Sequence, residues 1–142
     1  MAVLSNLEPK AVFEYFEKLC AVPHGSGNTK IISDLCVGFA QELGLKWRQD
    51  ALNNVVIWKG GTPGYENAEP VILQGHMDMV CAKTEHCDKD MAREGLDLAT
   101  DGEYVWAEET SLGGDNCIAV AMALALLADK TMPHPPLEAV FT

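Results

Sequence analysis

The apolar positions in the first third of the chain recur with helical spacing. In residues 9 to 20 the apolar residues lie on one face of a predicted helix, and Pro9 suits its first turn. The apolar residues are Val12, Phe13, Phe16, Leu19 and Cys20. The same spacing predicts a second helix from Thr29 to Leu43, with Gly44 as its C-cap.

From residue 45 onward the pattern changes to that of strands. The candidates are Leu45 to Arg48, Val55 to Lys59 and the run PVILQG at residues 70 to 75, with a turn around Asn53-Asn54 between the first two. Residues 83 to 102 are polar and rich in acids, which predicts a long excursion with little regular structure. Tyr104 to Ala107 is a candidate for one further short strand.

The last part of the chain predicts an apolar helix over residues 115 to 129 and a final strand, LEAVFT. The order strand, crossover helix, strand across residues 71 to 142 indicates a βαβ unit with parallel pairing. We therefore predict an α/β fold with a mixed, largely parallel sheet and flanking helices. Because LEAVFT has the composition of a buried strand, residues 1 to 142 are expected to be the front portion of a longer protein.

Composition and charge narrow the class of protein. The net charge of -11 argues against nucleic-acid binding, since phosphate contacts require clustered Lys and Arg. The N-terminus lacks a basic segment followed by an apolar one, and the longest apolar run, CIAVAMALALLA, is too short to span a bilayer. The five cysteines form no C-x-x-C pair. These features predict a cytoplasmic protein in a reducing compartment, with neither nucleic acid nor membrane as a partner.

Candidate chemistry lies at the two ends of the βαβ crossover. In GHMDMV, His76 and Asp78 are two residues apart, and side chains at that spacing project to the same face of an extended chain. In SLGGDN, Asp115 stands where the apolar helix begins. Taken singly, Asp78 is an ordinary turn residue and Asp115 an ordinary N-cap. Both stretches, however, adjoin one βαβ unit, and sites in open α/β sheets form outside the carboxyl ends of strands. His with carboxylates suits zinc, and a carboxylate can bridge two metal ions.

Four segments carry a family resemblance: PHGSGN, TPGYENAEPVILQGHMDMVCAK, SLGGDN and HPPLEAVFT. They resemble the zinc-dependent aminoacylase and carboxypeptidase family of co-catalytic metallopeptidases, and within it the bacterial dipeptidases that cleave Xaa-His. The resemblance implies that the chain is the N-terminal part of a di-zinc exopeptidase catalytic domain. It also implies that His76 is a zinc ligand, that Asp115 bridges two zinc ions, and that Asp78 is a catalytic-site residue that orients the imidazole of His76.

The resemblance further implies a hydrolase for dipeptides such as Xaa-His, with two zinc ions or other divalent metals and a homodimer formed through a domain outside these residues. The family's Glu-Glu pair, which supplies the general base and a ligand, would follow residue 142, so this segment alone is expected to be inactive. Two departures stand out: Glu108-Glu109 replaces a common Asp-Gly, and Cys117 replaces a common Gly. We expect Cys117 to pack in the helix.

Two other readings remain open at this level. A non-catalytic binding or assembly module could keep the fold without the base. Other metallohydrolases fit less well, because amidohydrolase barrels use His-x-His and zinc deaminases use His-x-Glu with a Pro-Cys-x-x-Cys segment. Two histidines in predicted loops, His24 and His86, are expected to be solvated, and His134 is expected to be a loop residue.

Overall fold

The three predicted helices are present in the computed structural model, which describes residues 2 to 142. They span Lys10–Cys20 (α1), Lys30–Glu42 (α2) and Gly114–Ala128 (α3). The end of α2 follows the predicted C-cap: Gly44 has a φ of 65°, its N–H donates to Gln41 O at 3.0 Å, and Leu45 N–H donates to Ala40 O at 2.9 Å. These two bonds form a Schellman motif, which satisfies the last carbonyls of the helix.

Six strands complete the described part of the chain. They are Lys46–Gln49 (β1), Val55–Lys59 (β2), Val71–Gly75 (β3), Leu98–Thr100 (β4), Val105–Ala107 (β5) and Leu137–Phe141 (β6). Four of them form one sheet in the order β1-β2-β6-β3, while β4 and β5 form a separate antiparallel pair.

The predicted βαβ unit consists of β3, α3 and β6. β3 and β6 pair in parallel, with Val71 opposite Leu137 and Gly75 opposite Phe141. The mixed sheet with flanking helices is therefore confirmed. Among the strands that residues 2 to 142 contribute to this sheet, only β3 and β6 pair in parallel, since β1 pairs antiparallel with β2 and β2 with β6. The sheet therefore has fewer parallel pairs than the sequence predicted.

The core lies between the helices and one face of this sheet. α1 packs against α3, and the core-facing side chains of β2 and β6 are fully buried: Val55, Ile57, Ala139 and Phe141. α3 is apolar around most of its circumference, as is usual for a helix enclosed by other elements. In the described residues no helix is both long and apolar enough to cross a membrane.

The excursion over residues 83 to 102 has more order than the sequence predicted. It ends in β4, which pairs with β5, and the buried ammonium group of Lys89 holds its central part together. Lys89 Nζ donates to Gly95 O at 2.9 Å and lies 2.9 Å from Asp97 Oδ2. Leu96 N–H donates to Cys20 O at 2.7 Å, and this bond joins the excursion to the end of α1.

Candidate metal centre

The close approach of two loops brings the candidate residues together. β3 ends at Gly75, where an added Cβ would lie only 2.7 Å from Asn116 Oδ1. At Gly113 a Cβ would lie 2.8 Å from both Cβ and Sδ of Met79. Because neither position has room for a side chain, the glycines allow the loop after β3 and the loop before α3 to lie in direct contact.

His76 lies between two carboxylates. Its Nδ1 is 3.0 Å from Asp78 Oδ1 and 3.1 Å from Asp78 O, and its Nε2 is 3.2 Å from Asp115 Oδ1. Two acceptors at Nδ1 fix the proton on that nitrogen, so Nε2 of the neutral ring presents a lone pair toward Asp115. A lone pair and a carboxylate oxygen at this separation repel each other unless a proton or a cation lies between them. The arrangement is therefore suited to cation binding.

Asp115 does not cap α3. It has non-helical backbone angles (φ −87°, ψ 102°). Its side chain is 92% exposed, and the carboxylate faces His76 Nε2 at 3.2 Å instead of a main-chain N–H of the helix. Asp115 is therefore not an ordinary N-cap, and its carboxylate is accessible to a cation from solvent.

Asp78 uses both carboxylate oxygens within the protein. Oδ1 faces His76, while Oδ2 accepts a hydrogen bond from the Ser26 hydroxyl. Ser26 belongs to the PHGSGN segment, for which the sequence indicated no role. Its partner lies 52 positions away, so neither periodicity nor local motif spacing could have identified it. The membership of PHGSGN among the family segments was the available signal.

His24, in the same segment, is buried with an exposure of 2%, so the expectation that it is solvated is wrong. Its Nδ1 donates to Val22 O at 2.7 Å, and its main-chain carbonyl accepts from Met79 N–H at 3.0 Å. Burial lowers the pKa of His24 below its usual value, against smaller opposing effects of the Val22 bond and the Asp78 charge. The hydrogen bond from Met79 holds the PHGSGN segment against the loop after β3.

Cys117 lies two residues after Asp115 but does not belong to the site. It is fully buried and its Sγ donates to Met77 O at 3.4 Å. Burial, with a smaller effect of the Asp78 charge, raises its pKa to about 12, so it remains a thiol. The prediction that it packs in the helix is confirmed.

The residues present fit part of a zinc site. Ligand bonds of about 2.0 to 2.2 Å in tetrahedral geometry separate two ligand atoms by about 3.4 Å, close to the 3.2 Å between His76 Nε2 and Asp115 Oδ1. Among residues 2 to 142 there is no group of three His, Cys, Asp or Glu side chains that could hold a metal ion. His76 and Asp115 can therefore supply two ligands, and a complete shell needs others.

Two relatives match the whole segment. The chain is 40% identical over 142 residues to the cytosol non-specific dipeptidase of Escherichia coli strain K12, covering 100% of this chain and 29% of the relative. It superposes on the crystal structure of aminoacylhistidine dipeptidase from Vibrio alginolyticus with a TM-score of 0.93 and 40% identity, covering 98% of this chain and 28% of that one. The chain thus spans less than a third of the length of either relative.

A more distant structure shares the fold alone. A tripeptidase from Staphylococcus aureus superposes with a TM-score of 0.72 at 20% identity, over 94% of this chain and 36% of that one. No protein-family model matches the chain. The two close matches nevertheless agree with the motifs, and the predicted resemblance to the aminoacylhistidine dipeptidases is confirmed over the full length of this chain.

Proposed function

We propose that residues 1 to 142 form the N-terminal portion of the catalytic domain of a zinc-dependent dipeptidase. The observation that carries this proposal is the position of His76, with Nδ1 on Asp78 and Nε2 3.2 Å from Asp115 Oδ1. The similarity to a non-specific dipeptidase and to an aminoacylhistidine dipeptidase supports the substrate class.

In this proposal His76 and Asp115 would hold metal, and Asp115 would be the carboxylate that two ions share. Asp78 accepts a hydrogen bond from the Nδ1–H of His76, and this bond fixes the tautomer and raises the basicity of Nε2. When bound, zinc supplies a Lewis acid that polarises a peptide carbonyl and activates water for attack. The exposure of Asp115 and the half-exposure of His76 leave this edge of the sheet open to a dipeptide.

The remaining ligands and the general base would come from residues outside this segment. Two points support that division: the described residues offer no third ligand at the site, and the two close relatives are more than three times as long as this chain. The proposed location is the cytosol, in agreement with the name of the Escherichia coli relative.

The test is the replacement of His76 by Ala in the complete protein, with His86→Ala as the matched control. His86 is an exposed loop histidine that lies ten positions after His76. We expect His76→Ala to lose bound zinc, measured by elemental analysis after dialysis, and to lose turnover of a panel of Xaa-His and other dipeptides. His86→Ala should retain both.

Unchanged zinc content in His76→Ala would contradict the ligand assignment. A wild-type protein that binds zinc but cleaves no dipeptide in the panel would instead favour the non-catalytic module. Within an active protein, the relative rates on Xaa-His and other dipeptides decide between a His-directed and a non-specific enzyme.

A further inference from the structure

We infer that Ser26 is a positioning residue for the metal site and acts on His76 through Asp78. This inference rests on the proposed function, because it assigns Ser26 a role in the metal affinity of that same site. The described hydrogen bonds link Ser26 to Asp78 and Asp78 to His76, whose Nε2 faces Asp115.

The first step concerns the orientation of the Asp78 carboxylate. The last torsion of an Asp side chain is broad and roughly two-fold, so one hydrogen bond leaves the carboxylate plane weakly fixed. In this structure Ser26 Oγ donates to Oδ2, while Oδ1 lies 3.0 Å from His76 Nδ1. With an oxygen held at each end, the plane is fixed and Oδ1 stays directed at the imidazole.

The second step concerns the position of Ser26 itself. Ser26 N–H donates to Met79 O at 3.0 Å, and Met79 N–H donates to His24 O at 3.0 Å. These bonds flank a parallel bridge between Gly25 and Met79. The backbone therefore places the hydroxyl beside the residue that follows Asp78, independently of any contact made by the Ser26 side chain.

A purely structural role for Ser26 makes a different prediction. Ser26 Oγ also lies 3.4 Å from Met79 O, which is a long contact of little strength. If the hydroxyl only joined the two loops, its loss would lower the free energy of unfolding and leave the zinc affinity unchanged. If it orients Asp78, its loss must weaken zinc binding even in a fully folded protein.

The experiment measures the zinc dissociation constant of the complete protein by competition with a chromogenic chelator, together with urea unfolding of the metal-free form. The variants are Ser26→Ala, Ser26→Thr and, as control, Ser33→Ala. Ser33 is a buried serine whose hydroxyl donates to Asn53 O at 2.7 Å in the core of the domain, so its loss affects stability alone.

Ser26→Ala should weaken zinc binding about 2- to 10-fold, the range expected for one net hydrogen bond. Ser26→Thr, which keeps the hydroxyl at an exposed position, should bind zinc as the wild type does. In an Asp78→Ala background, Ser26→Ala should have no further effect, because the residue through which it acts is gone. Ser33→Ala should lower stability and retain the zinc affinity.

Wild-type zinc affinity in Ser26→Ala would overturn the inference, as would an equal loss in Ser26→Thr or in Ser33→Ala. An additive loss in the Asp78→Ala background would overturn it too, because Ser26 would then act by another route. A wild-type protein without zinc affinity is a separate result, which refutes the proposed function itself.

Discussion

Glu109 provides the most direct test of the backbone of this structure. It has a φ of 57°, in the left-handed region, whereas its neighbour Glu108 has a negative φ. A non-glycine residue in that region costs about 1 to 2 kcal/mol. Glycine avoids this cost but loses about 0.5 to 1 kcal/mol of backbone entropy on folding. We therefore expect Glu109→Gly to raise the free energy of unfolding by about 0.5 to 1 kcal/mol.

The side chain of Glu109 offsets little of this gain. It is exposed, and its one hydrogen bond, from Thr84 Oγ1, is long at 3.4 Å. The main-chain carbonyl of Glu109, which accepts from Thr84 N–H at 2.8 Å, is retained by glycine.

Glu108→Gly is the matched control, since the same chemical change one residue earlier should have the opposite sign. It relieves no strain and removes the bond from Trp106 Nε1 to Glu108 Oε1, which is 3.0 Å long. The assay is urea unfolding followed by tryptophan fluorescence, with amide hydrogen exchange of Thr84 as a local measurement. A loss of stability in Glu109→Gly, or the same sign in both variants, would refute the left-handed conformation or its estimated cost.

Two further predictions concern Asp78 and His24. Replacing Asp78 by Ala should weaken zinc binding by about 10- to 100-fold, the usual effect of removing the carboxylate partner of a ligating histidine. Competition with a chelator measures the zinc affinity, and an unaltered affinity would show that Asp78 does not orient His76. Because burial lowers the pKa of His24 in the folded state, the unfolded state binds more protons, and wild-type stability should fall as the pH drops below the unfolded value of about 6.5. In His24→Gln that part of the pH dependence should disappear. Urea unfolding at pH 7 and pH 5 measures it, and an equal change in the free energy of unfolding of both proteins would contradict the role assigned to His24.

The elements that the sequence predicted well are those in which local pattern and tertiary packing agree. α1 and α2 carry helical periodicity and α3 is a long apolar run, and the structure gives their bounds within one or two residues of the predicted ones. β4 was not predicted, because a three-residue strand with half-buried positions has no alternation to detect. Its order arises from pairing with β5 and from the bonds that Lys89 makes to Gly95 and Asp97, and hydrophobic alternation signals neither of these.

The site was predicted in the same uneven way. His76, Asp78 and Asp115 were found because each adjoins an end of the βαβ crossover, and the structure brings these three together. Their roles as ligands and orienting group stay predictions. His24 was misread because PHGSGN has the composition of an exposed turn, and only its pairing with Met79 accounts for its burial.

The separation of the two candidate ligands is determined by contacts that involve no metal. The backbone at Gly75 lies close to the Asn116 side chain, and the backbone at Gly113 lies close to the Met79 side chain, so each loop packs against the other. A side chain at either glycine would push these loops apart and lengthen the distance from His76 Nε2 to Asp115 Oδ1. Because packing of the chain already holds these groups 3.2 Å apart, a cation that binds there need not pay the cost of ordering them. If the proposed function holds, this preorganisation would place the metal centre of the complete protein at His76 and Asp115, although the segment offers only these two ligands.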